Sequence, residues 1–416
     1  MQRSDTIPPT ATRSPLVGLV DGLAVTVAAL AAMVLVAAVG LWLAHADTLP
    51  GNGFLSVVAA TVLMALGTPI DLDGSAAFVA TAQGGITALP LTVSLAGALV
   101  AGVLFVRPIR LHAVVGTGEL LRRVLWTAGL WTVAVLLFSL AARHTFTVET
   151  GEPIVDELGD LLGAAPVVGF RAPPGPAIGW GLLWLAVVLA VTLAVSRSAP
   201  LPSAALRFHA AVRPTAHAVL TALLVCVALA LVAGVATALA RGDQGRETVA
   251  VMFLALPNLA WLGLGIGMGG SWQGHVSGSL GLPFPEPLAG VLRSDENVTL
   301  DLGTLAEHDG RAWLLLPAAA VILLLTGIGM AMHAPPGLPA WRHALHLAVA
   351  LALTMLLICL ATRITAAYGL SLLGLGGGGS ATLRPNWLLT IALGAGWGAV
   401  TGFLGGLVAT RARRRP

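Results

Sequence analysis

Apolar residues in this chain run in long unbroken blocks rather than in the spaced stripes of a soluble amphipathic helix. Crossing a hydrocarbon layer of about 30 Å takes about 20 helical residues at 1.5 Å each. Eight blocks meet that length: residues 22–44, 86–106, 124–142, 177–195, 218–240, 312–332, 344–361 and 387–409. Two more are interrupted. Residues 54–70 end in Gly67-Thr68-Pro69, and residues 249–270 contain Pro257-Asn258 followed by Gly263, Gly265, Gly267, Gly269 and Gly270. Proline and repeated glycine free backbone groups that only protein or water can satisfy, so both stretches read as broken helices or re-entrant hairpins. The pattern predicts an all-α, polytopic transmembrane helix bundle of about eight spans plus two re-entrant or broken segments.

Composition agrees with the pattern. Of 416 residues, 57% are hydrophobic and 10% charged, with a mean hydropathy of +0.90; a soluble domain carries about 25% charge. All 22 basic residues are arginine, so mechanisms needing a lysine, such as Walker-type nucleotide hydrolysis or Schiff-base chemistry, are excluded. Sidedness follows from where the arginines fall, because short cytoplasmic loops are rich in them. With eight spans, segments 1–21, 107–123, 196–217, 333–343 and 410–416 share one side and hold 14 of the 22 arginines, with three acids, Asp5, Asp21 and Glu119. The other side holds the remaining 8 arginines and 16 of the 19 acids. Ten spans would carry Arg107, Arg110, Arg122, Arg123, Arg197, Arg207 and Arg213 outward, so the eight-span arrangement is preferred. It places both termini in the cytoplasm and the protein in the cell membrane. The first block, near 23 residues, exceeds the roughly 7–15 of a signal-peptide core and reads as a retained span.

An internal repeat emerges from this arrangement. Each half reads span, broken segment, span, span, outer loop, span, with the first half at 22–200, the second at 201–409, and short tails at 1–21 and 410–416. Ala88-Leu89-Pro90 and Leu315-Leu316-Pro317 open equivalent spans; Arg122-Arg123 and Arg342-His343 precede equivalent spans, which Arg143 and Arg363 close. Four spans return the chain to the same side, so the two repeats run parallel.

Chemistry is sparse. Cys226 and Cys359 lie in apolar runs and read as inert buried thiols, with no metal or cofactor implied. No zinc-protease helix or serine-hydrolase elbow is present, and Ser271 with His275 would have to face each other from one short segment. Ionisable groups at membrane depth mark ion pathways, but Asp21 and His346 are shallow and read as interfacial anchors. Asp71-Leu72-Asp73-Gly74 is a fragment of a calcium loop, residues 154–162 show the period of an amphipathic helix, and Gly374–Ser380 reads as a flexible linker. Arg411, Arg413, Arg414 and Arg415 fix topology and meet lipid rather than nucleic acid. The broken segments remain as ligand-site candidates. Pro257 leaves a carbonyl unpaired and Asn258 offers donors and an acceptor at depth, while Trp261, Trp272, Gln273 and His275 either line such a site or, for the tryptophans, mark the water interface.

The stretches Ile70-Asp71-Leu72-Asp73-Gly74, Phe78-Val79-Ala80-Thr81-Ala82-Gln83-Gly84-Gly85-Ile86-Thr87 and Leu256-Pro257-Asn258-Leu259-Ala260-Trp261 resemble the streptophobe family of actinobacterial integral membrane proteins. The Pro-Asn segment is more distantly similar to permease-like membrane proteins of cell division. The resemblance implies the span pattern and carries no activity to named residues. The expectation is a non-enzymatic membrane protein of one of two classes. One is a permease-like pathway for a neutral or weakly charged solute or lipid. The other is a structural or scaffold protein of the cell envelope or division machinery. The partners expected are the bilayer, other envelope membrane proteins or a second copy, with no nucleic acid.

Overall fold

The computed structural model describes residues 15–49, 53–76, 80–110, 117–147, 167–196, 203–242, 245–277, 298–372 and 375–413. The amphipathic stretch 154–162 and the arginines at 414 and 415 lie outside them. Among the described residues there are eleven α-helices. The first half contributes α1 (Pro15–Leu43), α2 (Gly53–Ala65), α3 (Leu91–Arg110), α4 (Thr117–Ala141) and α5 (Pro174–Val195). The second contributes α6 (Ser203–Ala240), α7 (Gly245–Gly267), the short α8 (Leu302–His308), α9 (Leu315–His333), α10 (Ala340–Ala361) and α11 (Trp387–Ala412). Eight of them are long and apolar enough to cross a membrane, and many of their leucines and valines face outward, among them Val20, Leu137, Leu325 and Leu388. The chain is an integral membrane protein built as a polytopic helical bundle.

The connections at one end of the bundle bring a feature absent from the sequence reading: they pair into one antiparallel eight-stranded sheet. Its strands are β1 (Ile70–Ala76), β2 (Ala80–Thr87), β3 (Arg143–Thr147), β4 (Val167–Arg171), β5 (Trp272–Ser277), β6 (Val298–Leu300), β7 (Ile364–Leu372) and β8 (Leu375–Pro385). The order is β3-β4-β1-β2-β7-β8-β5-β6. Three expectations change. Residues 375–380 are not a linker but the first part of β8, hydrogen-bonded to β7 along its length. The Asp71-Asp73 fragment is extended strand, which lacks the tight turn of a calcium loop. The second span begins at Leu91 rather than at residue 86, because Ile86 and Thr87 complete β2.

The sheet also demonstrates the repeat. Strands β3-β4-β1-β2 of the first half and β7-β8-β5-β6 of the second have the same internal order, and the halves join head to tail where β2 pairs β7 from Ala80–Leu372 to Thr87–Thr365. The two broken segments end in the same way. The Gly67 N–H bonds the Met64 carbonyl and the Thr68 N–H bonds Leu63; the Gly269 N–H bonds Ile266 and the Gly270 N–H bonds Gly265, at 2.8–3.0 Å. This is the Schellman helix stop, and its left-handed position is glycine in both copies, at φ 102° and 95°.

Neither broken helix crosses the bundle. Gly53, at the start of α2, lies against Phe146 and His144 of β3, and α2 ends by feeding β1, so both ends are on the sheet side. Helix α7 starts where Arg246 donates to the Trp42 carbonyl at 3.0 Å and stacks on the Trp42 ring, at the end of α1; it stops where Gly267 abuts Leu315, the first residue of α9. Both neighbours are on the sheet side, so α7 is re-entrant in path although its 23 residues would suffice to cross. The reverse holds for α3. Its apolar part, Leu91–Arg107, is short, yet it connects the sheet to the opposite side, where Asp21 lies 3.8 Å from Arg123 and the Arg123 guanidinium sits 4.9 Å above the Phe105 ring. Asp21 thus has a partner rather than serving only as an interfacial anchor.

Packing differs between the halves. In the first, large rings fill the space between α4 and α5: Trp131 is fully buried, stacks on Trp184 with centroids 5.1 Å apart, and donates to the Gly181 carbonyl. In the second, Gly394, Gly398, Gly402 and Gly406 recur every fourth residue and seat α11 directly on the backbone of α10. This is the small-residue contact that lets helices in lipid approach closely, since lipid tails provide no hydrophobic drive for association. A Cβ at Gly398 would lie 2.6 Å from the Leu347 carbonyl oxygen, whereas one at Gly396 would meet nothing within 4 Å. Gly398→Val is therefore expected to cost about 1–3 kcal/mol and lower the melting temperature of the purified protein, with Gly396→Ala unchanged; equal melting temperatures for the two variants would contradict this packing.

Candidate functional site

Helix α7 crosses the joint between the halves, and the predicted residues Pro257 and Asn258 sit at its centre. Proline has no N–H, and its ring crowds the carbonyl one turn earlier, which opens the helical ladder there. The opening is filled from the first half. The Thr92 hydroxyl, second residue of α3, donates to the Met252 carbonyl at 2.9 Å and accepts from the Leu256 N–H at 3.0 Å, so it is inserted between two groups that would otherwise bond each other. Asn258 completes the joint. Its Nδ2 donates to the Leu89 carbonyl at 2.8 Å and its Oδ1 accepts from the Leu91 N–H at 3.0 Å. That N–H belongs to the first turn of α3 and has no partner within its own helix. A side chain of one half thereby caps a helix of the other.

The predicted tryptophans are both engaged with neighbouring elements of the protein. Trp272 is fully buried in β5, its ring against Gly265 and its Nε1 donating to Thr362 at 3.2 Å. Trp261 is half-buried and donates to the Leu223 carbonyl of α6. With Trp397, which donates to the Met268 carbonyl just past α7, they tie the broken segment to its surroundings. Trp272 also heads a small core with Leu262, Ile266, Leu300 and Leu383, which lies between α7 and the sheet.

The other two predicted residues, Gln273 and His275, are placed elsewhere, on the outer face of the sheet. Strand residues alternate between faces. Ile70, Trp272, Leu300, Ala366, Ala381 and Leu383 are buried toward the bundle, while Asp73, Gln83, Arg171, Gln273, Thr299 and Arg384 are exposed on the opposite face. Across this face Gln273 pairs in register with Arg384 and Thr299, and His275 with Thr382. The His275 Nδ1 is buried and has no hydrogen-bond partner among the described residues. Ser271 precedes the strand and His275 is four residues on, about 13 Å away at strand rise, so the two do not form a catalytic pair.

In the first half the corresponding face carries ion pairs. Asp71 is directly opposite Arg171, whose Nε lies 3.8 Å from the Asp71 carboxylate and 3.3 Å from that of Asp73. These side chains are 44–64% exposed, so the pairs contribute little stability and chiefly set local charge. Among the described residues no group of three or more His, Cys, Asp or Glu is placed to hold a metal, and both cysteines are free and buried.

Sequence reasoning missed Thr92 and Arg384. Nothing in the sequence marks Thr92, but Arg384 could have been found from the repeat: it precedes α11 by three residues as Arg171 precedes α5. Compared with known protein families, curated proteins and solved structures, the chain matches none.

If Thr92 and Asn258 hold the halves together, Thr92→Val and Asn258→Leu each strand backbone groups away from water, a loss of about 1–3 kcal/mol apiece. Because both act on one joint, the double variant is expected to lose less than the sum. Unfolding of the four proteins in mixed micelles measures this; strict additivity would show two independent contacts.

Proposed function

We propose that this membrane protein is a non-catalytic structural component of the cell envelope, which holds a rigid polar sheet at the outer membrane surface for other envelope components to engage. One observation carries the reading: the segment with the most ligand-site character in the sequence, Pro257-Asn258, has both polar ends of its amide committed to joining the halves. A transport site needs such groups free for a solute, and here backbone of the other half occupies them. Further support comes from α11, whose glycines close it onto α10 without a gap. The arginine excess on the side opposite the sheet supports cytoplasmic termini and a plasma-membrane location. Membership of the streptophobe family is proposed on the sequence resemblance alone.

The alternative is the permease-like pathway. Its support is that two discontinuous helices dip into the bundle from one side, as solute-binding segments of transporters do. The readings differ in whether water reaches the joint. In a background lacking Cys226 and Cys359, Gln273→Cys is expected to react with a membrane-impermeant maleimide added outside intact cells, and Leu259→Cys to remain unlabelled. Labelling of Leu259→Cys at a rate close to that of Gln273→Cys would sink the structural reading in favour of a pathway.

A further inference from the structure

The internal repeat gives the outer face its own control. Counting from the shared helix stop, Ile70 and Trp272 are each three residues past the left-handed glycine, so Asp71 corresponds to Gln273 and Asp73 to His275. Arg171 and Arg384 are each three residues before the following helix, and Arg143 and Arg363 each two residues past the preceding one. Register confirms the alignment: Asp71 pairs with Arg171 as Gln273 pairs with Arg384. The second half has thus kept both arginines and exchanged both aspartates for neutral hydrogen-bonding side chains. Arg171 is neutralised by two carboxylates, while Arg384 has no acid within salt-bridge distance among the described residues.

We propose that this part of the sheet, centred on Arg384, binds an oxyanion, a phosphate or phosphate ester. Arg384 supplies the guanidinium fork, which matches phosphate oxygens in two parallel hydrogen bonds. Arg363, one step before the Ile364–Leu383 pair and so beside Arg384 in register, supplies a second positive charge. Gln273 donates an amide N–H from the adjacent strand, and Thr382 lies on the same face beside His275. His275, whose Nδ1 is buried and has no hydrogen-bond partner among the described residues, stands on the same face next to Thr382. In the first half the same position is filled by the aspartates themselves, so the anion of the second half takes the place that the first half fills from its own sequence. The site stands whether the protein is structural or a pathway. Its anion comes either from a soluble phosphate ester or from the headgroups of the adjoining lipid.

Full-length protein in phosphatidylcholine nanodiscs is titrated with sodium phosphate against sodium chloride at equal ionic strength, and the melting temperature followed. A second series replaces part of the lipid by phosphatidylglycerol without added phosphate. Stabilisation by phosphate identifies a soluble ester as the source, and stabilisation by phosphatidylglycerol alone identifies the headgroup; both support the site if they depend on it. The decisive variant is Gln273→Asp/His275→Asp, which restores the acids of the first half and is expected to weaken the response about tenfold or more. Arg384→Gln is expected to do the same should the double variant fold poorly, while Arg171→Gln leaves the response unchanged. A response of wild-type size in Arg384→Gln, or no stabilisation of the wild type by either anion, would overturn the proposal.

Discussion

Inside a bilayer a backbone group left unpaired has no water to turn to, and this constraint decides how the two halves of the molecule meet. Helix α7 is broken by Pro257 at the joint, and the first turn of α3 arrives beside the break with its own free N–H groups. Each defect answers the other. Thr92 fills the opened ladder of α7, and Asn258 returns the service to Leu89 and Leu91. Two features that would be expensive alone become a joint, and only in one register, because shifting either helix by one residue would strand all four bonds. The sheet then continues the same joint outward through the β2–β7 pairing.

The repeat explains both the likeness of the halves and the value of their differences. The shared strand order, the two Schellman stops and the arginines at matching positions come from one plan used twice. Departures from it mark where the halves have separate tasks. Helix α2 has 13 residues and stays within its own half, whereas α7 has 23 and reaches across to α1 and α3. Tryptophans pack the first half and a glycine stripe the second. On the outer face the first half balances its arginine internally and the second does not.

Much of the bundle was legible in the sequence because lipid demands long apolar blocks, and nothing else produces them. The broken segments were legible for the same reason, since Pro257 and the run of glycines interrupt a block that would otherwise cross. The sheet was not legible. Strands such as Leu375–Pro385 are rich in glycine, serine and threonine, lack strong alternation, and gain their order from partners far along the chain, as Thr87 does from Thr365. Asn258 was singled out for its chemistry, but its partners are 167 and 169 residues away, so its use as a joint was invisible. Gln273 and His275 were grouped with it because they are close in sequence. A turn and one strand in fact carry them out of the bundle to the opposite face of the sheet.

The central claim is that the halves are joined edge to edge in one sheet on one side of the membrane. Gly85 and Ala367 are direct partners across β2 and β7, and a Cβ at Gly85 meets only ordinary contacts. Directly opposed strand residues place their Cβ atoms about 4.5–5.5 Å apart, near enough for a disulfide with slight adjustment. Gly85→Cys with Ala367→Cys, in a protein lacking Cys226 and Cys359 and carrying a protease site in the 197–202 connection, should cross-link on mild oxidation in membranes. After cleavage the two halves should then migrate as one species until reduced. Halves that separate after oxidation and cleavage, while the uncleaved protein is normally folded, would contradict the account.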